Sequence, residues 1–279
     1  VNEKVPYIAR AVGSEKLCDS FNKYVFQHAV VPNRVQGWNV AEFIATELKL
    51  KRVAIFNLAA EYGIAVAEGC KDRLKEFGLE LVSHEVMNIG DTDFTSQLLK
   101  IKAAKPEVLI TPIYFREAFI MHRQIRELGL DFKIITFPPC HTYQFLKEAG
   151  NTIKGVILQA YLPNPPPEIN PRMAEFFKQF LALHPREDPV DGGIGASLMR
   201  IVVEGLRRTG RDLTREKYIA ALETLRDFDP VFTSPVTFTP TDHRGNLTSQ
   251  YWVFEGGGKR TWLPKTITWK KLPGFKYER

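Results

Sequence analysis

The sequence predicts an α/β fold built on a doubly wound parallel sheet, and three observations carry that reading. Short apolar runs of strand length recur between Val5 and Tyr161, and most are followed by a segment with helical apolar spacing. The links between them are short, as in the βαβ units of a parallel sheet. Glycines stand where two of the helices should end, at Gly78 and Gly129.

Lys51–Gly78 is the unit around which the rest is organised. Arg52–Asn57 is a buried strand, Leu58–Gly63 a loop, and Ala67, Cys70, Leu74 and Phe77 the stripe of a helix closed by Gly78. A second strand, Glu80–Val86, follows at once. Ligands of such sheets sit outside the carboxyl ends of the strands, which makes Leu58–Gly63, and Tyr62 above all, ligand-facing.

From the start of the chain, Val5–Ala9 reads as a strand and Arg10–Ser14 as a small-residue loop, either an ordinary turn or a place where a ligand approaches the backbone. Tyr24–Val31 is an apolar run ended by Pro32-Asn33. A helix from about Gln36 to Leu48 presents Trp38, Ala41, Ile44 and Leu48. Past the central unit, Asp91-Thr92-Asp93 opens a helix carrying Phe94, Leu98 and Ile101, and Val108–Thr111 is the next strand. Tyr114 follows its end. A helix at Ala118–Leu128 and strands at Phe132–Thr136 and Val156–Tyr161 complete the alternation.

The texture changes at Leu162–Pro167, a proline cluster that reads as a stiff connector. Helices at Met173–Leu183, Ile194–Arg208 and Arg215–Leu225 follow, then strands at Val236–Phe238 and Tyr251–Phe254. Gly256–Gly258 with Lys259 makes a hairpin turn, and Trp262 and Ile267–Trp269 finish the chain. The last three helices have few strands near them in sequence to receive their apolar stripes.

Composition bounds the function. A chain of 279 residues makes one large domain or two smaller ones. The formal charge of +6 is scattered rather than gathered into basic runs, which describes a solvated surface and not a nucleic-acid binder. Cys18, Cys70 and Cys140 form no CxxC pair, leaving open one disulfide with a free thiol or burial of all three. No apolar run is long enough to span a bilayer, and Val1 opens no signal-peptide pattern; a mature secreted protein or a fragment reads this way.

No GxSxG elbow, P-loop or GxGxxG is present, and the six histidines form no HxxxH or HxxE pattern. No catalytic centre, metal site or cofactor is therefore expected. Asp91 and Asp93 suit helix capping better than a metal or acid pair. Tyr62 and Tyr114 each follow a parallel strand and are either ligand-facing or packed surface tyrosines.

The order of these segments resembles the periplasmic binding proteins of the branched-chain amino acid type, the type I solute-binding fold. Val5–Ile8 with Ala11–Ser14 resembles that family's strand and small-residue ligand loop. Pro32–Gly37 resembles its Pro-Ser-Asp-x-x-Gln-Gly helix entry, one residue short. Lys51–Gly63 is similar to the strand and Tyr-Gly that lead into the second-lobe helix. Ala104–Val108 is similar to the family's lead into the strand before Tyr114, and Val236–Gly245 to its closing signature.

The resemblance implies two α/β lobes with three crossings, near Gln27–Val31, Leu162–Pro167 and Asn246–Ser249. Lobe I would comprise residues 1–28 and 165–246, and lobe II residues 29–164 and 247–279. The earliest strands of lobe I would be absent, which would account for the helices that lack strands. The implied function is an extracytoplasmic substrate-binding protein, periplasmic and peripheral to the membrane. It would close by a hinge on a small polar solute of amino acid, amide or carboxylate type and deliver it to an ABC transporter permease. The alternatives are the sensory domain of a receptor, or an enzyme supported by the fold alone.

The site residues implied are Ala11, Gly13 and Ser14 for a ligand carboxylate, Tyr62 and Tyr114 as aromatic walls, and Asn33, His141 and Asp191. Amino acid binders of this family place an acid near Phe137–His141, where this chain has Pro138 and Pro139. A buried ammonium without a partner costs several kcal/mol, so an α-amino acid requires its acid from elsewhere. Asp191 is the candidate substitute.

Overall fold

The computed structural model describes residues 4–17, 21–160, 170–256 and 259–268. Cys18, the proline cluster Leu162–Pro167, Gly257, Gly258 and Trp269 lie outside the described residues, as do the side chains of His141 and Trp262. The described residues form two compact units, 4–32 with 170–248 and 33–160 with 249–268.

In the first unit, β1 (Tyr7–Ala9) and β2 (Val25–Gln27) pair in parallel, with Ala9 opposite Gln27. Only three residues of the apolar run Tyr24–Val31 are strand, although every residue of the run is buried. Burial alone does not make a ladder.

The second unit begins with α1 (Asn33–Phe43), which continues into a single π turn at Ile44–Leu48. Next come β3 (Arg52–Leu58), α2 (Glu61–Leu74), β4 (Glu80–Met87), α3 (Thr95–Ala103) and β5 (Val108–Thr111). They are followed by α4 (Phe115–Glu127), β6 (Lys133–Thr136), α5 (Tyr143–Ala149) and β7 (Ile157–Ala160). The helix α3 starts later than the Asp91–Asp93 motif suggests. Asp93 accepts from Thr95 N at 2.9 Å and Asp91 from Asn88 N at 2.8 Å, so one carboxylate serves the helix entry and the other the preceding turn.

Back in the first unit, α6 (Pro171–Leu183), α7 (Pro189–Thr209) and α8 (Arg215–Leu222) follow. The helix α7 starts at Pro189, ahead of the predicted Ile194, because Asp188 caps it by accepting from Val190 N at 2.9 Å. Val236–Phe238 is not a strand. Val236 makes one isolated bridge to Phe228, and its apolar neighbours are held by packing with Phe26, Ile201 and Leu222. His243 stacks on Phe26 at 3.7 Å, and its ring nitrogens bond Val25 O and Glu223 Oε1.

Two last strands, β8 (Thr248–Gly256) and β9 (Lys259–Thr268), complete a seven-stranded sheet of order β4-β3-β5-β6-β7-β8-β9. From β4 to β7 the pairs are parallel, and β8 runs antiparallel to β7. Alternation along β3 divides two apolar layers. Ala54 and Phe56 face Phe94, Leu98 and Met121; Val53 and Ile55 face Val40, Phe43 and Val66.

The helices α1 and α2 meet through glycine. A Cβ on Gly69 would lie 2.1 Å from Arg34 O, and one on Gly37 2.2 Å from Val66 O. Arg34 and Trp38 of α1 both bond the Asp72 carboxylate of α2, at 2.6 to 2.9 Å.

Candidate functional site

The strand order of the seven-stranded sheet reverses once. The chain leaves β3 through α2 for β4 at one edge, then returns through α3 to β5 on the other side of β3. The crossovers on either side of this point diverge, opening a crevice at the carboxyl ends of β3 and β5. Tyr62 and Tyr114 stand at those two ends.

Tyr62 is the second residue of α2, not part of a loop as the sequence suggests, because Ala60 is already extended at the cap and the helix begins at Glu61. Tyr114 is the extended residue capping α4. Their rings stack with centroids 5.7 Å apart and planes 11° from parallel. Tyr114 is 38% exposed and Tyr62 half-buried. Gly63 permits this, since a Cβ there would lie 2.4 Å from Leu58 O and 3.0 Å from Pro112 O. The stack thus rests where α2 presses on the ends of both strands.

Two helix N-termini also open at this edge, each with an acid in its first turn: Glu61 in α2 and Glu117 in α4. Glu117 is buried and accepts from Gly90 N at 3.1 Å. Within β3, buried Asn57 pairs its Oδ1 with His84 Nε2 at 2.6 Å. Burial is the main cause holding His84 below its ordinary pKa, helped by the charge of Lys71. At the end of β6, Phe137 is buried and Pro138–His141 forms a short 3-10 turn. Asn33 is buried at the start of α1, where its Oδ1 accepts from Gln36 Nε2 at 3.4 Å.

The remaining candidates lie in the first unit. Ala11 is exposed, Gly13 buried and Ser14 half-buried in the loop after β1. Gln27, on the neighbouring strand, donates from Nε2 to Val12 O and holds that loop. Asp191, in the first turn of α7, is paired with Arg10: Nη2 lies 3.4 Å from Oδ1, and Nη1 donates to Asp191 O at 3.3 Å. Arg10 is a residue that sequence reasoning missed. Its partner is 181 positions away, and an ion pair over that span leaves no periodic signal.

His28, at the end of β2, is fully buried and its pKa is lowered to about 4, first by burial and further by the charge of Arg10. Among the described residues, no group of three or more His, Cys, Asp or Glu could hold a metal ion. What the structure offers in chemical terms is an aromatic shelf on one unit and a small-residue loop bearing an ion pair on the other.

A family model described as "Periplasmic binding protein" matches residues 1–260. The leucine-, isoleucine-, valine-, threonine- and alanine-binding protein of Pseudomonas aeruginosa is 24% identical over 250 residues, which are 88% of this chain and 63% of that protein. A Leu/Ile/Val-binding protein homolog of Brucella suis is 28% identical over 145 residues, 52% of this chain and 38% of its own length. The chain therefore spans less than two thirds of either relative.

Among solved structures, a branched-chain amino acid ABC transporter protein from Thermus thermophilus with bound valine matches at a TM-score of 0.82 and 19% identity. The match covers 96% of this chain and 73% of that one. A solute-binding protein of an ABC transporter from R. palustris, in complex with benzoate, matches at 0.78 and 17%, covering 94% and 71%. At these identities the likeness is one of fold.

Proposed function

Since this chain belongs to the periplasmic binding protein family, we propose that it is the substrate-binding protein of an ABC uptake transporter. In this reading it binds a small polar organic solute, is not an enzyme, works outside the cytoplasm, and meets its permease at the membrane surface. No described helix is long and apolar enough to cross a membrane.

The observation that carries the reading is the placement of Tyr62 and Tyr114 at the point where the strand order reverses, in a chain matched almost throughout by the family model. The names of the relatives support the solute class: one is named for binding leucine, isoleucine, valine, threonine and alanine, and the structures of similar fold hold valine and benzoate. Within the proposal, Tyr62 and Tyr114 pack against the apolar part of the solute, with Asn33 and His141 contributing from the same unit. Ala11, Gly13, Ser14 and Asp191 are proposed to contact its polar end, as the family resemblance implies. Closure about a hinge belongs to the same reading, because a solute shifts a two-state protein by binding one state better than the other.

Thermal-shift screening of amino acids, amides and carboxylates against the purified chain tests the proposal. A solute at 100 times its Kd should stabilise the protein by about 2.7 kcal/mol. Tyr114→Ala should then weaken binding of that solute while the unliganded protein still folds, its melting temperature lowered only by the few degrees that loss of the ring stack accounts for. Unchanged affinity in the folded variant would refute the tyrosine assignment.

A further inference from the structure

We propose that Arg10 and Asp191 form the charge-reading element of the solute site. Arg10 takes an anionic group and Asp191 a cationic group of the same molecule, so that zwitterions are selected over simple anions and neutral amides. The proposal rests on the solute-binding reading above and adds to it a residue, Arg10, and a selection rule.

The first support is position. Arg10 leaves β1 at its carboxyl end, the end at which parallel strands present ligand-contacting residues. It immediately precedes Ala11–Ser14, the loop that Gln27 fixes by donating to Val12 O. Asp191 reaches the same place from the first turn of α7.

The second support is the looseness of the pair. Its two contacts are 3.4 and 3.3 Å, at or beyond the long end of the N–H···O range, and only one of them reaches the carboxylate. The same molecule builds tight forks elsewhere. Arg34 holds Asp72 at 2.6 and 2.9 Å, and Arg244 holds Asp242 at 2.8 and 2.7 Å. The Arg10 and Asp191 side chains are 45% and 58% exposed, and ion pairs in such settings add little to stability. Opening this pair around a ligand therefore gives up little.

The third support is charge balance. Arg10 and Asp191 sum to zero, and Glu15 and Lys16 of the following turn also cancel. His28 sits beside Arg10 across the β1–β2 register, is buried, and stays neutral near pH 7. A zwitterion set between Arg10 and Asp191 meets an opposite charge at each end and leaves the total at zero. A monoanion would satisfy Arg10 but strand the Asp191 carboxylate against like charge, and a neutral amide would satisfy neither.

The experiment measures Kd by calorimetry for the full chain and for Arg10→Gln, Arg10→Lys and Asp191→Asn. The probes are L-leucine, L-phenylalanine and L-glutamine, each with its des-amino acid, its decarboxylated amine and the neutral amide of its des-amino acid. The parent should prefer at least one amino acid over all three of its analogues. Arg10→Gln and Asp191→Asn should each lose that amino acid by about 30-fold or more, with Arg10→Lys intermediate and melting temperatures close to the parent's.

Tighter binding of a des-amino acid by Asp191→Asn, with the parent preferring carboxylates, would overturn the inference in favour of a simple anion. An amino acid bound equally by the parent and both neutral variants would reduce the pair to a surface contact. Either result leaves the solute-binding reading intact. A parent that binds only solutes without both charges overturns zwitterion selection, and one that binds no solute in the wider screen overturns the function itself.

Discussion

Tyr62 and Tyr114 come from two different crossovers of one sheet, yet their rings lie 5.7 Å apart and 11° from parallel. Stacked aromatic pairs contribute about 0.5–1.5 kcal/mol beyond the area they bury. A double-mutant cycle with Tyr62→Leu and Tyr114→Leu, followed by urea unfolding, should return a coupling in that range. Additive effects of the two substitutions would show that the rings are neighbours without interacting.

Two glycine substitutions should have opposite signs. Gly69→Ala puts a methyl group 2.1 Å from a backbone oxygen of α1, so α1 and α2 must part, at a cost of about 1–3 kcal/mol. Gly195→Ala, inside α7 with no atom within 4 Å of the new methyl, should stabilise its unit by about 0.5–1 kcal/mol. Denaturant midpoints measured side by side decide the matter, and a neutral Gly69→Ala would contradict the close approach.

Acid should destabilise the second unit through His122. Burial, with the charge of Arg126 adding to it, lowers the pKa of this fully buried histidine from 6.5 to about 3. Between these values the unfolded chain holds a proton that the native state refuses. Stability is therefore complete above pH 6.5 and declines as the pH falls toward 3, with a limiting slope of about 1.4 kcal/mol per unit. His28 acts in the same direction in the first unit, between 6.5 and about 4. His122→Met should flatten the pH dependence of unfolding between pH 6 and 4, and an unaltered slope would assign the acid sensitivity elsewhere.

Cys70 and Cys140 are buried free thiols, each pushed up to about 12 by burial. A thiolate is the reactive form. At pH 8 the native protein should thus react with no more than one equivalent of a maleimide, and the other two thiols should appear only on denaturation. Rapid labelling of more than one site in the folded protein would contradict this burial.

The alternation of strands and helices was legible because each parallel strand is a short apolar run and each helix carries a stripe. Arg52–Leu58 and Val108–Thr111 fall within a residue of where the pattern puts them. Tyr62 and Tyr114 were legible as residues following strands, but their mutual stacking was not. It depends on strand order, which no local pattern encodes. Val236–Phe238 misled because a buried irregular segment has the same apolar, β-branched composition as a strand. Arg10 stayed hidden among other scattered basic residues until the fold placed Asp191 beside it.

The glycine contact between α1 and α2 also bears on how the second unit opens. At Gly37 and Gly69 the two backbones touch with no side chain between them, so neither helix can loosen there while the other stays in place. In amide hydrogen exchange the residues around Gly37 and those around Gly69 should gain deuterium together, as one cooperative segment, rather than fraying one helix at a time.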